Sequence, residues 1–188
     1  MTKTTHRTSA AKAQPRLEEL VNTAVGAHDV VTVTLLYEDS KTRAWAREAF
    51  ERMEKAAGPG RLRPSWWRLS DLKSAGVLAG AVTMALRANL LVVALRGSEM
   101  LPLPFYLWVN SWLPNRSHGG GALIGLLGAP SSNGHAGDRE ILRDYLRQVA
   151  EHGGMEFRLE TRRTAAPPLN LEWLEALAPI TAAAAILN

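Results

Sequence analysis

The chain has no cysteine. That absence removes disulfides, thiol nucleophiles and cysteine-ligated zinc or iron–sulfur centres together, and it fits a reducing compartment. Long apolar runs are missing too, since no stretch approaches the roughly 20 residues that span a bilayer. Histidine is sparse: His6, His28, His118, His135 and His152 are scattered without metal-ligand spacing. There is no G-x-S-x-G elbow, no Walker loop and no G-x-G-x-x-G turn, so the common nucleophile and nucleotide signatures are excluded. Acid is absent from the first sixteen residues, which hold Lys3, Arg7, Lys12 and Arg16.

Those four residues account for the net charge of +4, because removing them from the 22 basic residues leaves 18 against 18 acidic ones. The body of the chain is neutral, and the sequence pI of about 9.8 is a property of one end. Residues 1–28 read as a basic tail with a short helix from Pro15 to Ala27, and the tail lacks the apolar core of a secretory signal. At 188 residues, 46% hydrophobic and 21% charged, the remainder suits one buried domain over 29–163. Residues 164–188 follow a Pro167-Pro168 break. Leu171, Trp173, Leu174 and Leu177 suit a helix that docks on the domain or joins two copies of the chain.

What is present centres on residues 89–113. Leu90 to Leu95 are apolar without alternation, as in a strand covered on both faces. Gly97 ends it, Pro102 and Pro104 suit the first turn of a helix, and Phe105, Trp108, Val109 and Trp112 fall at i, i+3, i+4 and i+7. The spacing predicts that this aromatic stripe packs on the sheet; an aromatic ligand platform is the other reading.

Ahead of this unit, Val30 to Tyr37 is a β-branched strand. A helix from Lys41 to Ala57 follows, buried through Ala46, Ala49, Phe50 and Met53. Its outward pairs at i, i+4 are Arg47 with Glu51, Glu48 with Arg52, and Glu51 with Lys55. Arg61 to Leu69, with Pro64 inside it, predicts an edge strand. Ser70-Asp71 predicts the cap of a helix to Ala88. After the unit, Gly120 to Gly128 is a buried strand whose glycines imply close neighbours. Asp138 predicts the cap of a helix to His152 with Ile141, Leu142, Tyr145, Leu146 and Val149 inward. Met155 to Glu160 alternates and is buried on one face.

Five strands alternating with helices give an α/β protein with a mainly parallel sheet. The first, third and fourth strands are apolar on both faces and the second and fifth are mixed, as edges are. The order 2-1-3-4-5 satisfies this with right-handed crossovers, a flavodoxin-like three-layer α/β/α sandwich. Ligands in such sheets bind beyond the carboxyl ends of the strands, at the switch between the first and third. That crevice would be lined by Glu38, Asp39, Ser40 and Thr42, by Arg96, Gly97, Ser98 and Glu99, and by Ser131, Ser132 and His135.

Three resemblances bear on function. Gly97-Ser98-Glu99-Met100-Leu101-Pro102 resembles the G-x-G-E-L-P turn after the third strand of flavodoxins, with Gly97, Leu101 and Pro102 matching and Glu99 in place of the second glycine. The resemblance implies an FMN site drawing on Ser40, Thr42, Gly97, Ser98, Glu99, Leu101, Pro102, Ser131 and His135. The first loop departs from the family, because Glu38 and Asp39 would oppose a phosphate with only Lys41 to balance them, so FMN is not the favoured cofactor. Glu38 and Asp39 also resemble the magnesium-binding acids of response-regulator receivers. Arg96-Gly97 stands where the phosphoacceptor aspartate would be, which implies a receiver fold used for protein contacts. The strand, polar turn and tryptophan-bearing helix are similar to TIR-type signalling domains, some of which hydrolyse NAD through a glutamate; residues 103–113 contain no acid.

The leading expectation is a cytoplasmic, bacterial flavodoxin-like module without catalysis that senses a small molecule or contacts a protein. A divergent FMN-dependent electron-transfer domain is the alternative. Third comes single-stranded nucleic acid, stacked on Trp66 and Trp67 among Arg61, Arg63 and Arg68. His135 beside Ser131 and Ser132 is a base near a hydroxyl in an unspecific loop.

Overall fold

The computed structural model describes residues 16–27, 30–96, 101–116, 120–128 and 136–162. Its elements are α1 (Leu17–Ala27), β1 (Val31–Tyr37), α2 (Ser40–Ala57), β2 (Leu62–Arg68), α3 (Ala75–Arg87), β3 (Leu90–Leu95), α4 (Leu103–Trp112), β4 (Ala122–Gly128), α5 (Ala136–His152) and β5 (Glu156–Arg162). The strands form one sheet in the order β2-β1-β3-β4-β5, all pairs parallel. This is the flavodoxin-like three-layer sandwich that the apolar and mixed strands predict. Among the described residues no helix is long and apolar enough to cross a membrane.

All residues of β3 and β4 are buried. Even positions of β3, Leu90, Val92 and Ala94, face α1 and α2 with Val31, Val33 and Leu35 of β1. Odd positions, Leu91, Val93 and Leu95, face the layer formed by α3, α4 and α5. Each buried leucine or phenylalanine contributes about 1.5–3 kcal/mol, so the doubly covered strand is the core of the domain. α1 belongs to that core, with Leu17, Leu20 and Val21 buried. The aromatic stripe of α4 lies against the sheet, with Phe105, Trp108, Val109 and Trp112 all at or below 1% exposure. The basic terminus and the apolar C-terminal segment lie outside the described residues.

Four expectations need correction. Ser70-Asp71 caps no helix: Leu69–Lys73 is a 3-10 turn, and α3 begins after Ser74. Leu69 and Leu72 are both buried, and a spacing of three fits a 3-10 turn that puts both inside. Helix α5 starts at Ala136, so Asp138 lies within its first turn. Ile141 is 70% exposed, because the buried face runs through Leu142, Leu146, Val149 and Ala150, about 100° round the helix. Lastly, Glu48 pairs with Arg162 at 2.7 Å and Arg52 with Glu160 at 2.6 Å. The α2-facing side of β5 is charged, and it captures both residues from the expected helical pair. Arg47 and Glu51 do pair, at 2.9 Å.

Glycine admits close approach where the strands meet. A Cβ on Gly128 would collide with the Arg96 carbonyl oxygen and lie 3.2 Å from the Trp45 ring; on Gly125 it would lie 3.0 Å from Leu159. Gly121 has φ +107, and a Cβ there would strike the Asn89 carbonyl oxygen. These contacts let β4 sit against β3 with Leu146 above it.

Arg116, only 8% exposed, is the one basic residue among the buried positions of the described chain. Its guanidinium donates to the carbonyls of Ala85 at 2.9 Å, Ala88 at 2.8 Å and Gly120 at 3.3 Å. Ala85 and Ala88 end α3, where the helix presents free carbonyls and partial negative charge. Burial pulls the Arg116 pKa down from its ordinary value, but a guanidinium keeps its proton. The Trp112 ring lies 5.9 Å from it. Arg116→Met should therefore cost at least about 2 kcal/mol, because it leaves buried carbonyls unmade. Arg47→Ala, on an exposed i, i+4 pair, should cost under about 0.5 kcal/mol. Urea denaturation midpoints at an unchanged slope measure both, and equal losses would refute the assignment of Arg116 as a staple.

Candidate functional site

The crevice at the carboxyl ends of β1 and β3 is built from the turn Glu38-Asp39 into α2 and from Arg96 after β3. Asp39 adopts an extended conformation and caps α2, accepting the Thr42 N–H at 2.8 Å. The Thr42 hydroxyl oxygen accepts the N–H of Asp39 at 2.8 Å and of Glu38 at 3.0 Å, which completes a capping box with threonine in the third position. Glu38 N–H also reaches the Ala94 carbonyl at 3.2 Å. Thr42 itself is fully buried.

From the neighbouring strand, Arg96 closes the crevice. Its backbone N–H donates to Glu38 Oε2 at 2.8 Å, and its guanidinium is ion-paired and hydrogen-bonded to the Asp39 carboxylate. Partial burial alone would raise the Asp39 pKa; the Thr42 N–H, the Arg96 guanidinium and the Thr42 hydroxyl outweigh it and hold the carboxyl below its ordinary 3.8. The two acids that would oppose a phosphate are thus already answered by Arg96. The backbone N–H groups of Glu38, Asp39 and Thr42 are spent on side chains of the same turn, so they are not free to cradle a phosphate.

Of the residues expected to line a ligand, Ser40 and Thr42 stand in the first turn of α2, and Leu101 and Pro102 lead into α4 with Pro102 at its cap. The topology brings these two groups to the same end of adjacent strands. Gly97, Ser98, Glu99, Ser131 and His135 lie outside the described residues, as does Ser132. Among the described residues no group of three His, Asp or Glu could hold a metal ion.

A groove of about 530 Å³ lies between α2 and the edge strand β2. Ser40, Arg43, Arg47, Phe50, Glu51 and Trp66 line it. Arg43 stacks over Tyr37 at 5.7 Å, and Phe50 meets Trp66 edge to face at 5.9 Å. Its charge is mixed, with Glu51 and Glu54 set against the arginines. Trp66 and Trp67 face opposite sides of β2: Trp66 packs with the α1/α2 layer, whereas Trp67 packs with the α3/α4/α5 layer, its ring close against Gly80. The two indoles cannot stack on one strand of nucleic acid together, which alternation along a strand already dictates.

A feature that sequence reading missed is the outer face of α4. Leu103 and Leu107 are 67% and 47% exposed and Tyr106 37%, on a helix without a single charged residue. Tyr106 packs edge to face on Tyr145 of α5 at 5.4 Å, and Tyr145 lies 6.1 Å from buried Phe105. The exposed ring is thereby tied to the core.

The sequence matches no protein-family model and no curated protein.

Asp39→Ala should cost about 0.5–2 kcal/mol through the lost cap. Because the folded pKa is depressed, this contribution is complete above the unfolded value of 3.8 and is lost as pH falls through the lower folded value. Urea denaturation of the wild type and Asp39→Ala should give a constant stability difference near neutral pH that shrinks below pH 3.8. A difference that grows on acidification would contradict the depressed pKa.

Proposed function

We propose that this chain is a non-catalytic protein-interaction module. The observation that carries the reading is the distribution of charge over the outer helices. Every turn of α2 and α5 carries charge, whereas α3 has Arg87 alone and α4 has none. Solvated helices of globular proteins are polar outside, and a helix that is apolar all round belongs in an interior. Interface cores are the exception: they are depleted of charge and enriched in tyrosine and other aromatics. Leu103, Tyr106 and Leu107 fit that description.

The crevice supports the same reading from the other side. A phosphate drawing on the N–H groups of Glu38, Asp39 and Thr42 would have to displace the Thr42 and Asp39 hydrogen bonds. The alternative, an FMN-dependent electron-transfer domain, rests on Leu101 and Pro102 leading into α4 as the flavodoxin-like turn does. Its phosphate cradle is the part that does not fit.

The test is the visible absorption of the freshly purified full chain, repeated after FMN addition and desalting. The interaction reading predicts no flavin band in either state. Near-stoichiometric flavin retained after desalting overturns it in favour of the electron-transfer domain.

A further inference from the structure

We infer that the outer edge of β5 pairs antiparallel with β5 of a second copy of this chain, joining the two sheets across a two-fold axis at Leu159. The surface is distinct from the outer face of α4, and the inference does not rest on that face. The sheet ends in β2 and β5, and the hydrogen-bond ladder fixes which backbone groups each edge presents. On β2, the Arg61 carbonyl accepts the Val31 N–H at 2.9 Å, so the odd positions bond to β1 and Leu62, Pro64, Trp66 and Arg68 direct their backbone groups outward. Pro64 removes one of those outward donors, and both charges of the strand, Arg63 and Arg68, are positive. That edge is protected against pairing. On β5, the Glu156 N–H donates to the Gly121 carbonyl at 2.9 Å, so the even positions bond to β4 and Phe157, Leu159 and Thr161 direct their N–H and C=O groups outward. No proline interrupts this row, and among the described residues no strand lies beyond it.

The charge pattern of β5 makes it its own complement. Set antiparallel about Leu159, Glu156 faces Arg162 of the second copy and Arg158 faces Glu160 of the second copy, in both directions. Leu159 then meets Leu159, and Phe157 meets Thr161, at the positions that exchange both backbone hydrogen bonds. The charged residues fall at the alternate positions, where opposite Cα atoms approach to about 4.5 Å and side chains interact most closely. Neighbouring registers are repulsive. A slip of two residues one way sets Glu160 against Glu160 and Arg158 against Arg162; the other way it sets Arg158 against Arg158 and Glu156 against Glu160. The side chains are already ordered within each copy, since Glu160 pairs with Arg158 at 3.1 Å and with Arg52 at 2.6 Å, and Arg162 with Glu48 at 2.7 Å. Pairing therefore has less conformational freedom to remove. On the other face Arg147 lies over Phe157 at 6.0 Å, and Asp144 supplies the counter-charge to Arg143 and Arg147.

Sedimentation velocity of the full chain from roughly 1 to 100 μM tests this. The wild type is expected to dimerise. Thr161→Pro removes one outward N–H per copy at an exposed position and leaves the bonds to β4 in place, so it should raise the dimer dissociation constant about tenfold or more. Thr161→Val keeps the N–H and loses the hydroxyl contact with Arg139; it should change the constant by less than about threefold. Glu156→Arg sets like charges opposite each other twice and should raise it about threefold or more. In the wild type, the Phe157, Leu159 and Thr161 amides should exchange more slowly as the concentration rises through the dissociation constant. Thermal unfolding checks that each variant folds; if Thr161→Pro does not, Glu156→Arg dimerising as tightly as the wild type overturns the proposal in its place. A wild type monomeric throughout overturns it. So does a dimer that Thr161→Pro leaves intact, which moves the contact off β5, or an equal loss in Thr161→Val, which assigns the effect to Arg139. Slow exchange of the three amides in the monomer overturns it in favour of the chain's own residues 163–188.

Discussion

A guanidinium buried among backbone carbonyls governs how the outer layer meets the sheet. Arg116 enters just after α4 and gathers the end of α3 and the glycine turn before β4 around one charge. Helix ends leave carbonyls unsatisfied, and here one side chain answers two of them while the helix dipole offsets part of its desolvation. Gly121 must then adopt a positive φ and lie against Asn89, where no side chain fits. The placement of α4, and so of its exposed ridge, depends on that knot.

Strand β3 is secured at both ends by side chains of its own segment. At the base, Asn89 Oδ1 accepts both the N–H of Thr32 at 2.8 Å and its hydroxyl at 2.9 Å, while the Asn89 carbonyl accepts the N–H of Ala122 at 3.0 Å. At the top, Arg96 joins Glu38 and Asp39. The lower fastening ties β1, β3 and β4 together, and the upper one ties β3 to the end of β1. Of the helices over the opposite face, α3 carries Arg87 alone and α4 no charge, whereas α5 is charged along its length.

The sheet order was legible because burial differs between strands: Leu90 to Leu95 is apolar throughout, whereas Arg63 or Glu160 could only stand at an edge. The α4 stripe was legible for the same reason, since helical periodicity survives in four aromatic and aliphatic positions. Side-chain pairing was less legible. Glu48 and Arg52 fit a helical pair, but β5 presents Arg162 and Glu160 to them from across the sheet, a relation no local spacing contains. Thr42 reads as a crevice residue, yet its hydroxyl turns back on its own backbone. Arg116 reads as an ordinary loop residue, because its three acceptors come from segments brought together only by folding. The missing charge on α3 and α4, by contrast, stands plainly in the sequence; its meaning needed the exposure of Leu103 and Leu107.

The most direct measurement is hydrogen exchange at the Glu38, Asp39 and Thr42 amides in the flavin-free chain. If Thr42, Asp39 and Ala94 hold these N–H groups as the hydrogen bonds require, all three exchange slowly, and adding FMN or inorganic phosphate changes none of them. Rapid exchange in the free chain, slowed only when FMN or phosphate is added, would contradict a crevice closed by its own side chains.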